Sequence, residues 1–218
     1  MPEAKTNKAV YEVRSSDGEI YGVIGPRDWD RFRQTLAFVP PDARSLLDCG
    51  CDRGNWLDYV CRLRKLEDHM GVDVSAERIG EARTRYPHLH VEAGYLEDLH
   101  IKERSYDIVT ALEVLEHIPE WAAVLDRLLT IAQRRVIVTV PYREQIIQTV
   151  CIHCARLTPL YGHLHSFSEE SFPARPGWRL SFGYIRDRGI GASLARRVYR
   201  ILRPRRAWLV AVYDRIHA

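Results

Sequence analysis

Apolar positions along the chain change period in a regular rhythm, with short compact runs alternating with longer stretches in which they recur every three or four residues. After a polar leader with a turn at Ser15-Ser16-Asp17-Gly18, residues 29–39 carry an amphipathic helical pattern stopped by Pro40-Pro41. Ser45-Leu46-Leu47-Asp48-Cys49 predicts a short buried strand, and residues 55–65 predict a helix. Met70-Gly71-Val72-Asp73-Val74 predicts a second strand, with Ser75 as the N-cap of a helix that Pro87 ends after Tyr86. Residues 88–93 and 106–112 read as the third and fourth strands. Pro119 reads as the first residue of a helix running to Ala132, and the β-branched run 135–140 as a fifth strand.

This alternation predicts a Rossmann-like α/β fold, a seven-stranded and mostly parallel sheet with helices on both faces. The rhythm lapses over residues 141–166, a Cys/His-rich insertion after the fifth strand. It resumes as a strand over 178–185, a basic helix over 192–202 and a last strand over 207–213. At 218 residues the chain suits one domain: leader and helix (1–43), core (44–140), insertion (141–166) and C-terminal part (167–218). A content of 46% hydrophobic and 28% charged residues argues against disorder, and no apolar run reaches membrane-spanning length. Five irregularly spaced cysteines, with no signal-peptide core in the first ten residues, point to a reducing compartment, read here as the cytoplasm.

The net charge of +3 conceals an asymmetry. Residues 186–206 hold eight arginines and one acid, a charge of +7, which leaves −4 for the remainder. Such a stretch is a solvated helix face, or a contact for phosphate, an anionic lipid surface or another acidic partner.

The segment Leu46 to Trp56 turns a strand into a helix through a loop bearing Gly50 and Gly54, where backbone can approach a ligand beside free helix N–H groups. Asp73 follows Gly54 by 19 residues, at the end of the next strand, where a carboxylate can accept both hydroxyls of a ribose. These features point to a nucleoside-containing cofactor.

Five segments in order, residues 46–54, 71–75, 93–99, 106–109 and Glu113-Val114-Leu115-Glu116-His117-Ile118-Pro119, resemble the class I S-adenosylmethionine-dependent methyltransferases, in particular the group around ubiquinone and menaquinone biosynthesis. The resemblance covers residues 44–140. It implies that Asp48, Gly50 and Gly54 surround the methionine part of S-adenosylmethionine, with Asp73 on the ribose, Tyr95 and Leu96 beside the adenine, and Glu113 at the cofactor. Asp52 stands where the family usually has glycine, and Tyr95 replaces the usual acid. His117, just past the fourth strand, is the candidate base and Glu116 its companion; alternatively the two merely start a helix.

Two metal readings compete. Cys151 and Cys154 with His163 and His165 offer a tetrahedral zinc set that would stiffen the insertion, or else pack as reduced thiols and surface histidines. Glu113, Glu116, His117 and His165 resemble the metal centre of methyltransferases that modify the terminal ribose of small RNAs, a set of carboxylates and imidazoles that favours magnesium, manganese or iron over a structural zinc. The resulting expectation is a cytoplasmic S-adenosylmethionine-dependent methyltransferase acting on oxygen of a small-molecule or glycan-type acceptor. The alternatives are a metal-dependent RNA 3′-terminal 2′-O-methyltransferase and a non-catalytic cofactor-binding or zinc-stapled interaction protein. No recognised RNA-binding module is present, so nucleic acid is not the favoured partner.

Overall fold

The computed structural model describes residues 8, 24–152, 154–188, 193–195, 198–199 and 205–216. In chain order the elements are α1 (Pro26–Leu36), β1 (Ser45–Cys49), α2 (Asn55–Leu63), β2 (Asp68–Asp73), α3 (Ala76–Arg85), β3 (Val91–Ala93), β4 (Tyr106–Leu112), α4 (Trp121–Ile131), β5 (Ala132–Pro141), β6 (Gln148–Val150), β7 (Leu157–Pro159), β8 (Trp178–Asp187) and β9 (Arg205–Arg215). The main sheet has seven strands in the order β3-β2-β1-β4-β5-β9-β8. Its first five strands are parallel, and β9 runs antiparallel between β5 and β8.

Alternate residues of the central strands face opposite layers, as pleating requires. Leu47, Val109, Val136, Val138 and Ala211 point toward α4, where Val124, Leu125 and Leu128 cover them. Leu46, Ile108, Ile137 and Val210 face the other way, against Phe32 of α1, Leu57 of α2 and Ile79 of α3. Helices therefore cover both faces. Trp29, Phe32, Trp56 and Tyr59 contact one another edge-on or tilted, and they fix α1 against α2.

Strands β1 and β4 fall where the sequence placed them, and Ser75 caps α3, its Oγ accepting from Arg78 N at 3.3 Å. Other boundaries differ for local reasons. Helix α1 starts at Pro26, its proline locked in helical φ and Asp28 accepting from Gly25 N, and it stops at Leu36 because Ala37, Phe38 and Val39 tighten into i→i−3 bonds. Pro119 does not open α4; Glu120 caps it and Trp121 is its first residue. Strand β3 shortens to three residues because pairing with β2 begins only at Gly71↔Val91. The insertion, which showed no period, holds β6 and β7 as a separate two-stranded ribbon. The leader turn at 15–18 and most of the basic helix over 192–202 lie outside the described residues.

Removing the α3 cap with Ser75→Ala leaves an N-terminal N–H without its side-chain acceptor. We expect a loss of about 1 kcal/mol in urea unfolding with an unchanged slope.

Candidate active site

Strand order reverses between β1 and β4, and at the carboxyl edges of such sheets that reversal opens a crevice. After β1 the chain doubles back, Gly50 and Cys51 donating to the Val72 carbonyl at 2.7 and 3.0 Å. Gly50 and Asp52 take left-handed backbone, with φ of 79° and 49°. Aspartate tolerates that conformation, and the loop closes as a glycine there would allow. Asp52 N donates to Asp73 Oδ2 and Ser75 N to Asp73 Oδ1, each at 2.9 Å, which fixes the Asp73 carboxylate at the end of β2.

The loop after β4 meets this one so closely that a Cβ on Gly50 would stand 2.3 Å from Val114 Cγ2. A cleft with two lobes results. The larger, about 320 Å³, is lined by Asp73, Arg78, Leu96, Glu97, Glu113 and His117. The smaller, about 200 Å³, reaches Asp48, Asn55 and Trp56, and both share Arg31, Gly50, Asp52 and Leu112 as walls.

Glu113 holds a positive φ of 60°, a conformation that is strained for a residue with a Cβ. Its N–H donates to Thr139 O at 2.9 Å, its Oε1 accepts from Thr139 Oγ1 at 3.0 Å, and Arg31 Nη1 lies 3.8 Å from Oε2. A 3-10 turn over Leu115–His117 then buries Glu116 completely, with neither carboxylate oxygen hydrogen-bonded. Burial drives the Glu116 carboxyl well above its ordinary range, reinforced by Glu113, and raises Glu113 against the pull of Arg31.

The insertion returns along this turn. His117 Nδ1 donates to Gly162 O at 3.1 Å, Leu164 N to Glu116 O at 2.7 Å and His165 Nε2 to Ile118 O at 3.0 Å. These bonds carry His163 to 4.7 Å from His117, ring centre to centre, and the Glu144 carboxylate accepts from its Nδ1. Ligand atoms of Glu116, His117 and His163 all lie within 4.8 Å of one another.

Of the residues singled out in the sequence, Asp48, Gly50, Asp73, Leu96, Glu113 and His117 line the cleft, with Glu116 next to His117. Gly54 does not: at φ 74° it caps α2, and its α-carbon packs toward Leu89 and Ala82. Tyr95 sits in extended backbone before a 3-10 turn, so the wall is formed by Leu96 and Glu97 instead. Neither metal set assembles as expected. Cys151 and Cys154 lie at the far end of the β6–β7 ribbon, Cys154 exposed, while His163 turns to Glu144 and His165 to the Ile118 carbonyl. His163, rather than His165, joins Glu116 and His117, and Glu113 stays on Thr139 and Arg31. Sequence reasoning missed Arg31, Arg78, Glu97 and Glu144 as site residues; Glu97 left a trace by lying in the 93–99 segment, and Glu144 as the sole acid in residues 141–166.

The profile of a methyltransferase domain family matches residues 21–174. The chain belongs to that family. Its class is the S-adenosylmethionine-dependent class I. Ubiquinone biosynthesis O-methyltransferase of Nitrobacter winogradskyi is 36% identical over 86 residues, which are 38% of this chain and 32% of that protein. The chain thus matches about a third of the length of such relatives. The fold is shared with a chain of the complex between the Haloferax volcanii Trm112 methyltransferase activator and a putative methyltransferase (TM-score 0.66, 18% identity, 96% of each chain). It is also shared with Haemonchus contortus phosphoethanolamine N-methyltransferase 2 in complex with S-adenosyl-L-methionine (TM-score 0.67, 13% identity, 97% of this chain and 58% of that one).

The residues of this methyltransferase domain suit that cofactor. Asp48 is buried with Oδ2 unpartnered while Oδ1 accepts from Thr110 Oγ1 at 2.7 Å, and Asp73 lies across the same loop. A ligand carrying a sulfonium and an ammonium offsets such buried acids, and the bare backbone at Gly50 lets it approach. Burial, with added repulsion from Asp73 and Asp52, pushes the Asp48 carboxyl up to about 7 despite the Thr110 bond. The unfolded chain releases that proton near 3.8, so the folded state holds more protons between these values and loses stability as pH rises through them.

We expect the ligand-free protein to unfold more easily at pH 8 than at pH 5, with Asp48→Asn removing a share of this dependence on the order of 4 kcal/mol or less in urea titrations. Gly50→Ala forces Val114 aside and strains φ; isothermal titration with S-adenosylhomocysteine is expected to show at least about tenfold weaker binding.

Proposed function

We propose that this chain transfers the methyl group of S-adenosylmethionine to a hydroxyl of a small-molecule or glycan-type acceptor in the cytoplasm. The observation that carries this reading is the imidazole of His117 in the wall of the cleft that Asp73 and Gly50 build, its Nδ1 committed to the Gly162 carbonyl. When bound, S-adenosylmethionine supplies a methyl group already activated by its sulfonium, so the protein has to align the acceptor and take its proton. Asp73 would accept from the ribose hydroxyls, with Leu96 beside the base and Asp48 toward the methionine end. His117 offers Nε2, the acceptor nitrogen of the neutral ring, to the acceptor hydroxyl, and the Gly162 carbonyl that accepts from Nδ1 holds the ring in that tautomer.

Asp73→Ala is expected to weaken S-adenosylhomocysteine binding at least about 100-fold by calorimetry, since the carboxylate both meets the ribose and holds the Asp52 N–H; unchanged affinity would place the cofactor elsewhere. His117→Ala should leave that affinity intact while lowering kcat by roughly 10²–10⁴, read with labelled cofactor across hydroxylated acceptors.

One feature favours a second reading. Glu116, fully buried with both oxygens unpartnered beside His117 and His163, is the kind of set a divalent cation completes, with manganese or iron suiting one carboxylate beside two imidazoles better than magnesium does. Such an ion would draw vicinal hydroxyls, including those of an RNA 3′ end, toward the cleft. Transfer that persists after dialysis against EDTA supports the proton-acceptor reading. Transfer lost to EDTA, restored by manganese and absent in Glu116→Gln, supports the metal reading.

A further inference from the structure

The outbound arm of the insertion folds as β6 paired with β7, a ribbon separate from the main sheet. Its large apolar side chains are solvated, increasingly so toward the tip: Val150 is 57% exposed, Leu157 71% and Ile152 92%. Val150 and Leu157 stand directly opposite each other and share one face. Ile147 and Leu160, joined by a Leu160 N to Ile147 O bond of 2.8 Å, are exposed three residues back along the strands, on the other face. Apolar groups thus occupy both faces and the end. A two-stranded ribbon of this size is marginal in water unless something covers it. A protein partner would cover one face, whereas a medium entered end-on would cover both faces and the tip.

Charge identifies the medium. Residues 145–167 contain no acid, and Glu144 at the base is engaged by His163. Arg156 near the tip is exposed, as are Arg205 and Arg206 at the start of β9, and Arg143 at the base is exposed with Glu169 3.7 Å away. The pairings Pro141↔Trp208 and Asp187↔Arg205 put the roots of the insertion and of the arginine-rich segment 186–206 on one edge of the sheet. An apolar end flanked by cations and free of anions matches the surface of an anionic phospholipid bilayer. Reaching from the start of β6 to the tip spans four to five residues, roughly 15 Å when extended, enough to pass the headgroups and reach the acyl boundary. Arg156, close to the tip, has a side chain long enough to bring its guanidinium back to the phosphates. No helix among the described residues is long and apolar enough to cross a membrane, so any attachment they provide is peripheral.

We propose that the β6–β7 ribbon inserts its tip into an anionic phospholipid surface, with the neighbouring arginines on the headgroups and the cleft mouth turned toward the bilayer. The inference stands apart from the chemistry of methyl transfer. The test is co-sedimentation of the full chain with vesicles of phosphatidylglycerol and phosphatidylcholine, beside vesicles of phosphatidylcholine alone, for wild type and for Ile152→Asp/Leu157→Asp. Both substituted side chains are solvated, and equal thermal midpoints would show that the variant is folded. We expect wild type to pellet with the anionic vesicles, to be partly released by high salt, and the variant to bind at least about tenfold more weakly. Equal pelleting of the variant, or no pelleting of wild type with anionic vesicles, overturns the proposal. If wild type stays in the supernatant but elutes as a dimer that the variant dissociates, the ribbon's partner is a second copy of this chain.

Discussion

The loops after β1 and β4 meet where Gly50 lies against Val114, and the rest of the cleft depends on that approach. With no Cβ at Gly50, Val114 can lean over the loop, the two lobes stay connected, and Glu113 is carried into a left-handed conformation beside them. The N–H groups of Gly50 and Cys51 share the Val72 carbonyl, which ties the loop to β2 and so sets the distance from Gly50 to Asp73. A bulkier residue at this point would not merely narrow a pocket; it would push apart a pair of loops whose positions are mutually determined.

Four carboxyls, Asp48, Asp73, Glu113 and Glu116, gather around this contact, all largely removed from water. Burial raises each of their pKa values, so the site carries less negative charge than its composition suggests and contributes a proton-linked instability. Groups of this kind pack poorly as scaffold and well around a cation. Arg31, reaching from α1 to Glu113, partly offsets that charge and couples the first helix of the described chain to the cleft.

The insertion has two ends with different physics. Its returning arm is stitched to residues 116–118 by three hydrogen bonds and delivers His163, backed by Glu144, to His117. Its outgoing arm leaves the body and exposes valine, leucine and isoleucine. One segment thereby shapes the site wall and presents an apolar surface next to it, so a contact at the ribbon lies only a few residues from the acid–imidazole cluster.

Much of this was legible in the order of residues. Strands such as Ser45–Cys49 and Tyr106–Leu112 are compact, mainly apolar runs without strict alternation because both faces of a central parallel strand are buried. Gly50, Asp73 and the Glu113 to His117 string were visible because the turn and the helix starts that position them are local. Side-chain convergence was not. His163 and His165 are two residues apart and chemically identical, and only the three bonds between the insertion and the β4 loop decide that His163 meets His117 while His165 turns to a backbone carbonyl. Cys151 and Cys154 looked like ligands by spacing, yet the ribbon holds them away from both histidines. By itself the sequence determined the alternation of strands and helices and the glycine-bearing loop after β1, since these follow from periodicity and backbone conformation over a few residues. Which imidazole stands beside Glu116, and which apolar side chains remain in water, was decided by tertiary structure alone, because both depend on where a segment lands some fifty residues after the groups it meets.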